Sequence, residues 1–290
     1  MKQLLTVLFS IFLFTSSAET EVFQVEDDQK IVLDQVEIDQ YYLSYFDRVF
    51  IDEKKLNVLM DNLEKTLYKA PVNAKLADDN QVISEKPGIT LDRSKFEILF
   101  REYFYQNKNQ KLQVPIVKVH PKVDSGLIRE ISSRQLGSYA TFFKTSNKER
   151  SHNINLAAEA INNTVLFPGE TFSFNEVVGE RTKEKGYKRA PVIVKGELSE
   201  DIGGGICQVS STLFNAVDLS GIQVIERYAH SKRVPYVPDG RDATVSWWGP
   251  DFVFKNLYNE PILIRAKANQ GKMIVSVYSS ESAEHFTGND

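Results

Sequence analysis

The chain has 290 residues, a formal net charge of −4, 42% hydrophobic and 11% aromatic residues, and one cysteine. The acidic balance excludes a generally basic nucleic-acid binder, and a lone cysteine excludes a disulfide within the chain. Stability must come from packing, for which the apolar content and the length, enough for one large or two ordinary domains, suffice.

Met1 to Ala18 reads as a secretory leader. Lys2 supplies the positive start, residues 4–14 the apolar run, and Ser16-Ser17-Ala18 a small-residue cleavage site. That run is too short to span a bilayer comfortably, which leaves an uncleaved N-terminal anchor as the alternative, and no later segment approaches the roughly 20 apolar residues needed. The expected product is secreted, with no membrane span and no cysteine near the cleavage site to carry a lipid.

Residues 22–122 are expected to form a small α+β domain. A strand runs through residues 31–33. Asp52 opens a helix with Leu56, Leu59, Met60, Leu63 and Leu67 on one face. Short strands and turns follow over residues 74–83. Asp92 or Ser94 opens a second helix, striped by Phe96, Leu99, Phe100, Tyr103 and Phe104. Residues 114–119 alternate like a strand that Pro115 confines to an edge or a start.

Residues 121–126 read as a linker and 127–280 as a second domain. Its first helix starts near Asn153 and buries Ile154, Ala157, Ala158 and Ile161. Pro168-Gly169 turns the chain into a strand at 171–174. A helix follows Cys207, carries Val209, Leu213, Ala216 and Val217, and is stopped by Gly221. Strand-like runs cover 222–226, 243–247, 251–255, 261–267 and 272–278. One helix feeding mostly antiparallel strands predicts an α+β fold.

Cys207 follows Gly203-Gly204-Gly205 at the start of that helix. The positive end of a helix favours thiolate over thiol, which turns a weak nucleophile into a useful one. A small buried residue at a tight glycine junction is the competing reading, and intermolecular or redox chemistry a third.

From Ser132 onward the sequence resembles the VanW family, named for an accessory protein of vancomycin-resistance clusters. The resemblance rests on Leu136-Gly137-Ser138-Tyr139, Arg150 with Asn153-Ile154, residues 168–175, Val178-Gly179-Glu180-Arg181, Gly186-Tyr187 and residues 203–213. Glu226-Arg227, His230-Ser231, Tyr236-Val237-Pro238 and residues 240–245 extend it. Pro87-Gly88, Leu91-Asp92 and Val114-Pro115 make the first domain similar to a peptidoglycan-binding module. Together the resemblances imply the bacterial cell envelope as location and peptidoglycan or wall peptides as partner, without naming a reaction.

The order Cys207, helix, strand at 221–224, His230 resembles transglutaminase-like and papain-like cysteine enzymes, although Ser231 replaces the aromatic expected after the histidine. That resemblance implies Cys207 as nucleophile, His230 as base, and Asp242 or Asp251 as the carboxylate that orients the imidazole. Backbone N–H groups near Cys207, or the amide of Gln208, would hold the oxyanion. The reaction would be hydrolysis or acyl transfer at a wall-peptide amide.

Other readings compete. Arg241-Asp242 fits a structural ion pair in a turn. Glu170 and Glu180 offer paired carboxylates for glycan cleavage. The basic run 181–189 would contact anionic wall polymers or form a solvated hairpin face. Of Trp247 and Trp248, one is expected to point inward and the other to be free to stack on sugars. A wall-binding protein without catalysis is the alternative to all enzymatic readings. No phosphate loop follows the glycines, the four histidines lack metal-ligand spacing, and no nucleotide or metal cofactor is expected.

Overall fold

The computed structural model describes residues 22–26, 32–43, 49–106, 112–194 and 197–285. The expected leader at 1–18 lies outside them. The chain divides into two compact units, residues 1–72 with 86–121, and 73–85 with 122–290. The fold is α+β, with six α-helices among the described residues and strands paired almost throughout antiparallel.

In the first unit, β1 (Val22–Glu26) pairs antiparallel with β2 (Val32–Glu37). Helix α1 (Glu53–Leu67) begins where the Asp52 carboxylate accepts the N–H groups of Lys54 and Lys55, and it buries all five apolar residues of the expected face. The chain then contributes a short hairpin, β3 (Lys75–Leu76) with β4 (Val82–Ile83), to the second unit. It returns through β5 (Gly88–Leu91) into α2 (Arg93–Gln106), where Asp92 accepts from the Lys95 N–H. Phe96, Phe100 and Phe104, one helical turn apart, form a buried ladder facing α1 residues in one core. Strand β6 (Leu112–Gln113) joins β1, and β7 (Ile116–Val119) joins β5. Pro115 stands immediately before β7, where its missing N–H removes no ladder bond.

The second unit holds the candidate site. Its first two helices are α3 (Ser125–Ile131) and α4 (Lys148–Ile161), joined by the long strand β8 (Arg134–Phe142). After β9 (Thr164–Leu166) and β10 (Thr171–Ser173) come α5 (Phe174–Val178), the hairpin β11 (Arg189–Val194) with β12 (Glu197–Ile202), and α6 (Ile206–Ala216). The chain ends in β13 (Ile222–Glu226), β14 (Val253–Asn256), β15 (Ile262–Asn269) and β16 (Lys272–Ser279). Beside the two hairpins, one sheet has the order β8-β16-β15-β9 and another β10-β14-β13. Ile154, Ala157 and Ile161 of α4 and Val209 and Leu213 of α6 share a core with Ile262, Ile264, Val275 and Val277. Phe172 stacks on Phe254 at 4.8 Å, and Phe252 meets Phe214 edge-on at 5.7 Å. Truncating one such phenylalanine to alanine typically removes about 3–5 kcal/mol.

Several boundaries differ from the sequence expectation for local reasons. Helix α4 begins at Lys148 rather than near Asn153, because the Asn147 side chain accepts the Arg150 N–H and caps it. Helix α6 ends at Ala216, before Gly221. Gly221 serves a different purpose, since a Cβ there would lie 2.4 Å from the Tyr258 ring. The stretch at 121–126 already contains the start of α3, capped by Asp124. Residues 243–247 form one bridge, Thr244 to Tyr228, and then a turn in place of a strand. Among the described residues, no helix is long and apolar enough to cross a membrane.

Candidate active site

The start of α6 is built by close backbone approach. Gly203 and Gly205 have φ of 87° and 110°, a region that side-chain-bearing residues rarely adopt. A Cβ on Gly204 would lie 2.4 Å from the Ala190 carbonyl oxygen, so only glycine lets the loop press onto β11. Asn153 of α4, fully buried, fastens this junction. Its amide donates to the Lys188 and Gly204 carbonyls and its oxygen accepts the Lys188 N–H.

Cys207, Ser211 and Asn215 fall at successive four-residue steps, on one face of α6. All three hold residues 241–245. Ser211 exchanges hydrogen bonds with both backbone groups of Ala243, and Ser210 adds one to the same carbonyl. Asn215 donates to the Arg241 carbonyl and accepts from its guanidinium. The Thr244 N–H donates to the Tyr228 carbonyl, bringing the chain that carries His230 alongside. Arg227 donates to the Asp242 carbonyl while lying over the Phe214 ring, 4.7 Å from its centre. Packing of one helix face thus gathers three distant segments.

At their meeting point Cys207 is half-buried. Its sulfur lies 3.5 Å from the Val245 carbonyl oxygen and 3.7 Å from Thr244 Oγ1. The His230 imidazole lines the same cavity as the sulfur and acts on its ionisation, and its Nδ1 lies 2.6 Å from Asp242 Oδ2, which leaves Nε2 as the ring nitrogen free for Cys207. Burial by itself raises the thiol pKa, but the hydrogen bond and charge of His230 and the Val245 and Thr244 contacts outweigh it and hold the thiol below its ordinary value. Burial likewise lowers the imidazole, yet Cys207 and then Asp242 shift it upward overall. The Asp242 carboxyl is pushed up by burial and brought down further by the N–H and ring of His230. The thiol shifts down and the imidazole up, the directions in which each group favours the charged form of the other.

The remaining expected site residues take other places. Asp251 accepts from Ser173, Asn175 and Phe252, so it secures α5 and does not touch His230. Arg241 pairs with Asp218 at 2.7 Å, which corrects the proposed Arg241–Asp242 pair and frees Asp242 for the imidazole. The Gln208 side chain is also corrected as an oxyanion donor. It is buried, and its amide nitrogen donates to Thr141 Oγ1 and the Phe142 carbonyl. Its oxygen accepts from Arg150, so it positions that guanidinium. Among first-turn amides, Ile206 and Gln208 donate to Gly203 and Gly205, whereas Cys207 has no such backbone bond among the described residues. That N–H is the donor the helix start offers an oxyanion. Glu170 accepts from the Phe167 N–H within a turn and lies 3.7 Å from Lys122, outside the cavity that Glu180 lines. The two glutamates therefore do not face each other across one cleft, as glycan cleavage requires.

Cys207 and His230 open onto a cavity of about 1360 Å³. Arg150, Arg181, Tyr236, Trp247 and Trp248 also line it. Trp247 is half-buried and Trp248 is 86% exposed, so the pair divides as the sequence suggests, though in a turn. Of the basic run, Lys183 to Gly186 form an exposed turn while Arg181 faces the cavity. Arg150, Asn153 and Arg181 stood out in the sequence only as motif residues, and Ser211 and Asn215 carried one overlooked signal, polar side chains at four-residue steps from the cysteine.

YoaR of Bacillus subtilis strain 168, described as an uncharacterized protein, is 56% identical over 231 residues, 80% of this chain and 76% of its own. Residues 149–278 match the model of the VanW like protein family. The chain belongs to the VanW family. A second VanW-family relative, the vancomycin B-type resistance protein VanW of Enterococcus faecalis, is 30% identical over 137 residues, 46% of this chain and 50% of that one. The VanW-like segment contains Arg150, Arg181, Cys207, His230 and Asp242. No solved structure matches the chain.

Proposed function

We propose that this VanW-family protein is a cysteine-dependent hydrolase or acyl-transferase acting on amide bonds of wall peptides at the cell envelope. The observation that carries the chemistry is the His230–Asp242 hydrogen bond beside Cys207 at the wall of one open cavity, with His230 acting on the thiol's ionisation. An inert thiol needs neither a hydrogen-bonded imidazole nor a carboxylate behind it. The envelope setting is supported by the leader-like residues 1–18, by the resemblance of the first domain to peptidoglycan-binding modules, and by a relative named for vancomycin resistance.

The geometry supports a two-step reaction. The Cys207 thiolate attacks the amide carbonyl carbon, and the carbonyl π pair moves to oxygen, where the Cys207 N–H and the positive end of α6 stabilise it. The oxyanion collapses, the C–N bond breaks, and the imidazolium of His230 gives its proton to the departing amine. A thioester on Cys207 remains. Neutral His230 then takes a proton from water, or from an acceptor amine, as that nucleophile attacks. Collapse expels the thiolate and returns the ion pair. Asp242 holds the imidazole with Nε2 toward the sulfur throughout.

The test is digestion of purified peptidoglycan followed by fragment profiling, with wild type, Cys207→Ala and Glu180→Gln in parallel. New fragments from wild type and Glu180→Gln, absent with Cys207→Ala, are the expected result. Fragments that persist with Cys207→Ala would remove the cysteine mechanism. Wild type that pellets with wall yet alters no fragment would leave only a binding role.

A further inference from the structure

Arg150 and Arg181 reach the same cavity from different elements, Arg150 from α4 and Arg181 from the loop after α5. Both are half-buried, and among the described residues neither is bonded to a carboxylate. Arg150 Nη2 donates to the neutral Gln208 oxygen at 2.9 Å, and Arg181 Nη2 to the neutral Asn175 oxygen at 2.8 Å. Arg181 Nη1 is the one buried side-chain nitrogen or oxygen among the described residues without a hydrogen-bond partner. Buried charge without a counter-charge is costly, and buried polar atoms are ordinarily satisfied. Burial pulls both guanidinium pKa values down, and the acid whose charge acts on both is the Cys207 thiol. Asp251, near Arg181, is already held by Ser173, Asn175 and Phe252. The lining also carries Lys144, Glu180 and Asp201, of which Asp201 is exposed and sits at the rim.

We propose that Arg150 and Arg181 form an anion subsite beside Cys207, and that the group it takes is a carboxylate of the substrate, so that the acyl donor is an acidic peptide. This rests on the reading of Cys207 as nucleophile. A planar guanidinium matches a planar carboxylate, and the Gln208 and Asn175 contacts fix each fork while leaving other N–H groups for it. The substrate carboxylate supplies the counter-charge that Gln208 and Asn175, both neutral, do not.

Alkylation of Cys207 separates the two layers of the proposal. Plateau rates with iodoacetate and iodoacetamide, at a pH where the sulfur is ionised, are compared with those of N-acetylcysteine. In the folded protein the iodoacetate/iodoacetamide ratio should exceed that of N-acetylcysteine by about tenfold, the size of one charge-assisted contact. Arg181→Gln and Arg150→Gln should each return the ratio toward the free-thiol value, with Arg181→Lys and Arg150→Lys retaining part of it. A wild-type ratio equal to that of N-acetylcysteine overturns the subsite. Inertness to both reagents instead overturns the nucleophile. An arm independent of sulfur reactivity uses the Cys207→Ala protein. N-acetylalanine should raise its melting temperature more than N-acetylalaninamide does, and Arg181→Gln should abolish the difference. Equal shifts, or none, overturn the subsite whatever the thiol does.

Discussion

Asp242 Oδ2 receives His230 twice, from the backbone N–H and from ring Nδ1, each at 2.6 Å. One oxygen therefore fixes both the position of the residue and the rotation of its ring. Asp242→Asn keeps the shape but puts an amide where the ring needs an acceptor. We expect kcat on wall peptide to fall by about 10²–10⁴-fold, with KM little changed. Steady-state kinetics check this, and a change confined to KM would contradict it.

Asn153 carries a structural prediction. Its buried side chain satisfies three backbone groups that come together where β11 begins and the glycine loop passes. Asn153→Ala leaves those groups without partners, which should lower stability by about 2–4 kcal/mol. Denaturant titration measures the loss. Reactivity of Cys207 should fall with it, because the same junction sets the start of α6.

Trp248 is 86% exposed at the cavity edge and touches Trp247 at a centroid distance of 6.0 Å. An indole face in water stabilises nothing in the fold, and it offers a flat apolar surface to a sugar or peptide ring. Trp248→Ala should leave the melting temperature unchanged and weaken co-sedimentation with purified wall severalfold. A drop in melting temperature with undiminished sedimentation would assign it to packing.

Much of this arrangement was legible in the sequence where local chemistry decides the structure. Asp52 before a periodic apolar run gives α1, and the glycines before Cys207 give a tight helix start. Cys207, His230 and Asp242 were legible as a set only through the likeness to cysteine enzymes, since nothing local says that segments so far apart in sequence touch. Strand β8 was not legible, because residues 134–142 carry few β-branched side chains and are held by pairing with β16. Nor was the choice between Asp242 and Asp251. That depends on which carboxylate α5 captures, a tertiary matter that no spacing encodes. Arg150 and Arg181 read only as motif residues, without a stated role at the cysteine, until the fold turns them toward the cavity.

The most direct measurement is the rate of Cys207 carboxamidomethylation by iodoacetamide as a function of pH, in wild type and His230→Ala. The account predicts a wild-type inflection below the ordinary cysteine value of about 8.5, because the imidazolium favours the thiolate. In His230→Ala the inflection rises, since the sulfur loses the imidazolium that opposes its burial. A wild-type inflection at or above about 8.5, or one that His230→Ala leaves in place, would contradict an activated cysteine.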